Sequence, residues 1–169
     1  MYDKGQGVTQ DFEVAVEWYR KAAEQGNAVA QSNLGNMYVQ GRGVTQDVKE
    51  AARWTRKAAD QGHPKAQAKL GLMYRLGKGV IQDYAKAVMW YGKAADQGEA
   101  LAHNQLGHMY ENGQGVTQNY VQAHTWYSLA AARGLKLGRK NRDLLAKHLT
   151  PAQIAEAQKL AREWKPKGK

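Results

Sequence analysis

The sequence predicts an all-α fold, an α-solenoid of antiparallel helix pairs, and three observations predict it. A motif recurs at a fixed step of 36 residues, with Met1, Met37, Met73 and Met109 followed each time by Tyr2, Tyr38, Tyr74 and Tyr110. Each copy holds one Gly pair, Gly5/Gly7, Gly41/Gly43, Gly77/Gly79 and Gly113/Gly115, set between two stretches whose apolar residues fall at helical spacing. The apolar set is mainly Ala, with one Trp per copy at Trp18, Trp54, Trp90 and Trp126, which suits close-packed helices. A period in this range marks one supersecondary unit that buries its apolar side against copies of itself.

Composition bounds the rest. At 169 residues and 43% hydrophobic, the chain is one domain with material for a core. With zero Cys there is no disulfide and no thiolate metal site, and either redox compartment is open. No stretch approaches the ~18 consecutive apolar residues of a membrane helix, so no membrane span is expected. Met1 leads straight into repeat sequence; a signal peptide is expected only upstream, making the protein periplasmic or secreted, and cytoplasmic otherwise. Charge is uneven: residues 1–132 hold 14 Lys/Arg and 12 Asp/Glu, a net +2, whereas residues 133–169 hold 11 and 3, a net +8.

In chain order, the first unit begins at its loop. It has a helix B, Asp11 to Gln25, with no helix A before it, so the chain reads as part of a longer array or as a homo-oligomer joined through this open end. Helix A runs from Asn27 to Val39 and keeps Ala30, Leu34, Met37 and Tyr38 on one face; its equivalents run from His63 to Arg75 and from Glu99 to Glu111. The Gly-x-Gly pair ends helix A and reverses the chain. Asp11, Asp47, Asp83 and Asn119 are placed to cap helix B. Its buried stripe is Ala51, Trp54, Ala58 and Ala59, matched by Ala15/Trp18/Ala22/Ala23 and Ala87/Trp90/Ala94/Ala95, and Gly26, Gly62, Gly98 and Gly134 stop it. Gly35, Gly71 and Gly107 lie inside helix A, where glycine costs about 1 kcal/mol relative to Ala. Close approach of a neighbouring helix is the expected compensation.

The pattern quoted from one copy is Ala66, Leu70, Gly71, Met73, Tyr74, Gly77, Gly79, Val80, Gln82, Asp83, Ala87, Trp90, Tyr91, Lys93, Ala94, Ala95, Gln97 and Gly98. It resembles the Sel1-like repeat, a relative of the tetratricopeptide repeat, over residues 1–134. The resemblance implies a right-handed superhelix with the A helices lining a concave side. It also implies an adaptor that holds protein or peptide partners, in a family whose members are frequently bacterial and frequently exported.

Register fails after residue 134. Leu129 stands where other copies have Lys, Arg133 where they have Gln, and Gly138 at the small Ala of helix A. Residues 135–165 read as capping helices: 141–148 with Leu144, Leu145 and Leu149 as an apolar patch, then Thr150-Pro151-Ala152-Gln153 as a capping box with Pro at the first helical position. The final helix, Pro151 to Trp164, turns Ile154, Ala157, Ala161 and Trp164 inward, and residues 166–169 fray.

No catalytic, cofactor or metal site is expected. The Trp series and Met37, Met73 and Met109 read as core. The Gly pairs join helices, whereas a dinucleotide loop follows a strand. His103 and His108 are off-phase for a shared ligand face, and no His-Glu-x-x-His occurs. Positions that vary between copies on helix A are the candidates for binding. They are Val29, Ser32, Asn33, Asn36 and Gln40, then Lys65, Ala68, Lys69, Leu72 and Arg75, then Leu101, Asn104, Gln105, His108 and Glu111. Asn33, Asn36, Lys69, Leu72, Arg75, Asn104, Gln105 and His108 form the expected partner site: amides for a peptide backbone, and Lys69 and Arg75 for its carboxylates. Two alternatives stand beside this. One is β-lactam binding or hydrolysis, associated with Cys-rich relatives whose cysteines are absent here. The other is polyanion binding through the basic residues 133–169, although no recognition helix or aromatic platform makes nucleic acid the expected partner.

Overall fold

The computed structural model describes residues 11–166, and every regular element among them is helical. Residues 1–10, with the first motif copy and the expected open end, and residues 167–169 of the tail lie outside the described residues. Helices pack in consecutive pairs, the architecture of an α-solenoid, and the chain divides into two units, Met1–Gln82 and Asp83–Lys169. Among the described residues no helix is long and apolar enough to cross a membrane.

The first unit holds α1 (Phe12–Glu24), α2 (Ala28–Gln40), α3 (Val48–Asp60) and α4 (Pro64–Leu76). α1 and α3 start where the short acid predicts: Asp11 Oδ1 accepts from the Glu13 and Val14 N–H groups, and Asp47 Oδ1 from Lys49 and Glu50. α2 and α4 end on left-handed glycines, Gly41 at φ 64° and Gly77 at φ 66°. Gly43 then backs onto the start of the previous B helix, where an added Cβ would lie 2.2 Å from the Phe12 carbonyl oxygen; Gly79 does the same to Val48, at 1.9 Å. A repeating amide fastens each loop, Gln46 Nε2 donating to the Val39 carbonyl at 2.7 Å and Gln82 Nε2 to the Arg75 carbonyl at 2.9 Å.

Ala15, Val16 and Ala23 of α1, Ala30, Leu34 and Met37 of α2, and Trp54 of α3 make one core. Trp54 is 5% exposed because α1 and α2 cover it, whereas Trp18, expected in the buried stripe, is 60% exposed. The correction has a geometric reason: Trp54 packs on the two helices before it, α1 and α2, and α1 is the first described helix. Lys21 Nζ sits over the Trp18 ring at 5.4 Å, as Lys57 does over Trp54 at 4.4 Å. Close approach explains Gly35, where a Cβ would fall 2.7 Å from Thr55 Oγ1 and 3.1 Å from the Ala51 carbonyl of α3.

The second unit holds α5 (Tyr84–Asp96), α6 (Ala100–Asn112), α7 (Tyr120–Ala132), α8 (Lys136–Leu145), a 3-10 turn (Ala146–His148) and α9 (Pro151–Glu163). Asp83 and Asn119 cap α5 and α7, and Gln118 Nε2 closes its loop onto the Glu111 carbonyl at 2.8 Å. Beyond α7 the repeat is altered, not abandoned. α8 occupies the A-helix place but begins at Lys136, ahead of the 141–148 stretch read from the sequence. Gly138 brings it close to α7, since a Cβ there would lie 2.6 Å from that of Ala130. The expected apolar patch is divided: Leu145 is buried and Leu149 packs beside it against Ala123 and Tyr127, but Leu144 is exposed.

α9 starts with the full reciprocal box, Thr150 N–H donating to Gln153 Oε1 at 2.9 Å and Gln153 N–H to Thr150 Oγ1 at 3.3 Å. Ala157 is buried, and Trp164 closes the end of the helix onto an aromatic group. Its ring centroid lies 5.1 Å from His103 and 6.2 Å from Trp126, both edge-on, with Arg133 5.3 Å above it. In earlier repeats the Trp is covered by a Lys three residues on; at Trp126 that position is Leu129, and Trp164 lies against the ring.

Candidate partner-binding faces of the A helices

α2 and α4 carry the candidate residues of the first unit, and α6 those of the second. Asn33, Asn36 and Gln40 recur at i, i+3 and i+7 on α2, so they share a side, and with Met37 they line a cleft of about 280 Å³ closed by Phe12, Tyr19 and Arg42. Amides facing such a cleft can both donate to and accept from an extended backbone.

Lys69 projects from α4 and donates to Asn36 Oδ1. It is half-buried, and burial holds its pKa down to about 8. The amide therefore orients a cation that is poorly hydrated, and an anionic group placed beside it would restore the proton's hold. Leu72 and Arg75 follow at three-residue steps on the same helix and are also half-buried. Arg75 Nε is buried and makes no hydrogen bond. A guanidinium with an unused, desolvated N–H is a donor matched to a carboxylate or carbonyl.

The second unit distributes its candidates differently. Gln105 and His108 are half-buried on α6, but Asn104 is only 3% exposed. Its Oδ1 accepts from Asn141 Nδ2 at 3.0 Å, so α8 covers it and its amide serves helix packing. Ser32 is buried and so outside any open face. Glu111 accepts from the Tyr127 hydroxyl at 2.5 Å. Asn33, Asn36 and Lys69 are thus brought together, Leu72 and Arg75 continue their line along α4, and Asn104 is removed from it. The sequence reading did not anticipate the Lys69–Asn36 contact. Its signal was available: in α2 and α4, Asn33 and Lys69 are equivalent positions 36 residues apart, and the next variable amide, Asn36, lies one turn on.

The Sel1 repeat family model matches residues 1–27, 28–63, 64–99 and 100–135. Two crystal structures are similar along 96% of this chain. One is a protective antigen present in uropathogenic Escherichia coli strains and displaying an SLR fold, at 42% identity and a TM-score of 0.90. The other is a Sel1 repeat protein from Oxalobacter formigenes, at 36% identity and a TM-score of 0.83. This chain spans 35% of the length of the first and 66% of the second. Comparison with curated proteins gives no match.

Proposed function

Because this chain belongs to the Sel1 repeat family, whose members generally act as protein-interaction scaffolds, we propose that it is a non-enzymatic adaptor holding a peptide or protein partner on the open side of its A helices. The partner is acidic. The observation that carries this reading is the pair of cations on α4, Lys69 half-buried and oriented by Asn36, and Arg75 with a buried Nε–H that has no acceptor. A carboxylate that reaches both groups gains charge-assisted hydrogen bonds where water competes least.

The test is capture from a bacterial lysate by this chain as bait, beside a Lys69→Glu/Arg75→Glu variant of matched melting temperature. A protein held by the first bait and released by the second supports the adaptor reading and its face. Capture that survives both charge reversals sinks it.

A second reading concerns self-association, and Trp18 favours it. This ring is 60% exposed, where the equivalent Trp54 is covered by two helices. A second copy seated on α1 would give it that cover. Light scattering of the chain and of Trp18→Ser decides: a dimer lost in the variant supports the reading, and a monomer in both removes it.

A further inference from the structure

The second unit contains a cavity of about 540 Å³ between α7, α8 and α9 that follows from the way its last repeat departs from the others. In the first unit the corresponding space is filled. Arg20 Nη2 donates to the Tyr38 hydroxyl at 3.0 Å, and Arg56 Nη2 to the Tyr74 hydroxyl at 2.6 Å, each B-helix Arg meeting the Tyr of the A helix after it. Three and two periods on, the same two positions are Ser128 and Ala146, and both line the cavity. A guanidinium and a phenol ring are missing from the place where the first unit puts them.

Two further departures keep the space open and change its chemistry. The positions of Leu34, Leu70 and Leu106, all buried, and of Gly35 and Gly107, which admit a close neighbouring helix, are taken here by Arg142 and Asp143. α8 and α9 both pack on α7 and hardly touch one another. Arg142 donates through Nε and Nη2 to Asp143 Oδ1, at 2.9 and 2.7 Å. Arg162, exposed on α9 and also lining the cavity, has no ion-pair partner among the described residues. Leu129 and Ile154 supply apolar wall. Ile154 and Arg162 stand eight residues apart on α9, roughly 12 Å along its axis, so the wall passes from apolar to cationic.

We propose that this cavity binds the C-terminal residue of a peptide that ends in an aromatic side chain. The ring takes the space that Tyr38 and Tyr74 fill in the first unit, and the terminal carboxylate pairs with Arg162 and with the edge of Arg142 that Asp143 leaves free. The carboxylate is favoured over other anions by planar, forked guanidinium geometry. The surrounding segment, net +8 over residues 133–169, draws an anionic end toward the cavity. Gln158, also on the wall, can pair with the last peptide group, which a free aromatic acid lacks. This site uses none of the A-helix residues of the adaptor face.

The experiment is an amide NMR titration of the full chain with N-acetyl-Gly-Gly-Phe, its C-terminal amide, N-acetyl-Gly-Gly-Ala and 3-phenylpropionate. The expected result is saturable shifts at Ser128, Leu129 and Ile154 with the Phe acid, and binding about tenfold or more weaker for the amide and the Ala peptide. Ala146→Tyr restores the repeat's own ring and should abolish these shifts. Arg162→Ala, an exposed change that leaves packing intact, should weaken them about tenfold. No shifts, equal shifts with the amide, or shifts that persist in Arg162→Ala would overturn the proposal. Phenylpropionate binding as tightly as the peptide would overturn the assignment to a peptide end.

Discussion

The ring of Tyr127 occupies the space that a Cβ on Gly107 would need, since such an atom would lie 2.6 Å from ring carbons Cδ1 and Cε1. The hydroxyl of the same ring donates to Glu111 Oε2 at 2.5 Å, one turn along α6 from that glycine. Burial, and then this bond, push the phenol's pKa far above its ordinary value. Glycine here is therefore a contact surface, and its low helix propensity is offset by the packing of a whole aromatic side chain.

Gly107→Ala should lower stability by about 1–3 kcal/mol through overpacking, even after the helix-propensity gain of up to ~1 kcal/mol. Thermal or urea unfolding checks it. On a Tyr127→Ala background the same change should become neutral or stabilising, because the clashing ring is gone.

Gly92→Ala should do the opposite. Gly92 lies inside α5 with nothing within 4 Å of the position its Cβ would take. Filling it should raise stability by about 0.5–1 kcal/mol, seen as a higher melting temperature, since only backbone entropy and helix propensity change.

These two glycines also mark how far the sequence could be read. Period, helix boundaries, caps and loop glycines were legible because each is a local rule repeated in register. Close packing at Gly35 and Gly107 was legible as well, because a helix breaker kept at one position in successive copies needs a compensating contact. Trp18 was not: its chemistry matches Trp54, and only the presence of a preceding layer separates a buried ring from an exposed one. Asn104 failed for a related reason. It varies between repeats as a binding residue would, but the register change after residue 134 lays Asn141 across it. On α2 and α4, where the repeat is regular, Asn33, Asn36, Lys69, Leu72 and Arg75 all keep some exposure, whereas on α6 Asn104 lies beneath the altered cap.

Asn104→Ala should therefore lower stability by about 1–2 kcal/mol, because it leaves Asn141 Nδ2 without its acceptor. Denaturant unfolding checks it. A change below the error of the midpoint would mean that water replaces the lost carbonyl.

His103 makes stability depend on pH. It is fully buried beside Trp126 and Trp164, and burial, then the charge of Arg133, hold its pKa down to about 4 from 6.5, with the Glu99 carbonyl pulling the other way. Between those values the unfolded chain binds a proton that the folded chain does not. Stability is therefore complete above pH 6.5 and falls as pH drops toward 4. The effect is on the order of 3 kcal/mol. His124, lowered by burial and then by Arg142, acts with the same sign. His103→Gln, which restores the residue found at Gln31 and Gln67, should flatten the fall in melting temperature between about pH 7 and about pH 4.5. Parallel curves for the two proteins would assign the acid sensitivity elsewhere.

The second loop glycines carry a consequence for how such a chain changes over time. Gly43, Gly79 and Gly115 press against the backbone at Phe12, Val48 and Tyr84, three unlike residues. The joint between one copy and the next is thus blind to side-chain identity at that point. Copies can drift apart on their outer faces, or be duplicated and deleted in steps of one period, without any matching change at this contact. At this contact the stacking is inherited through the main chain, and the side chains there are left to diversify.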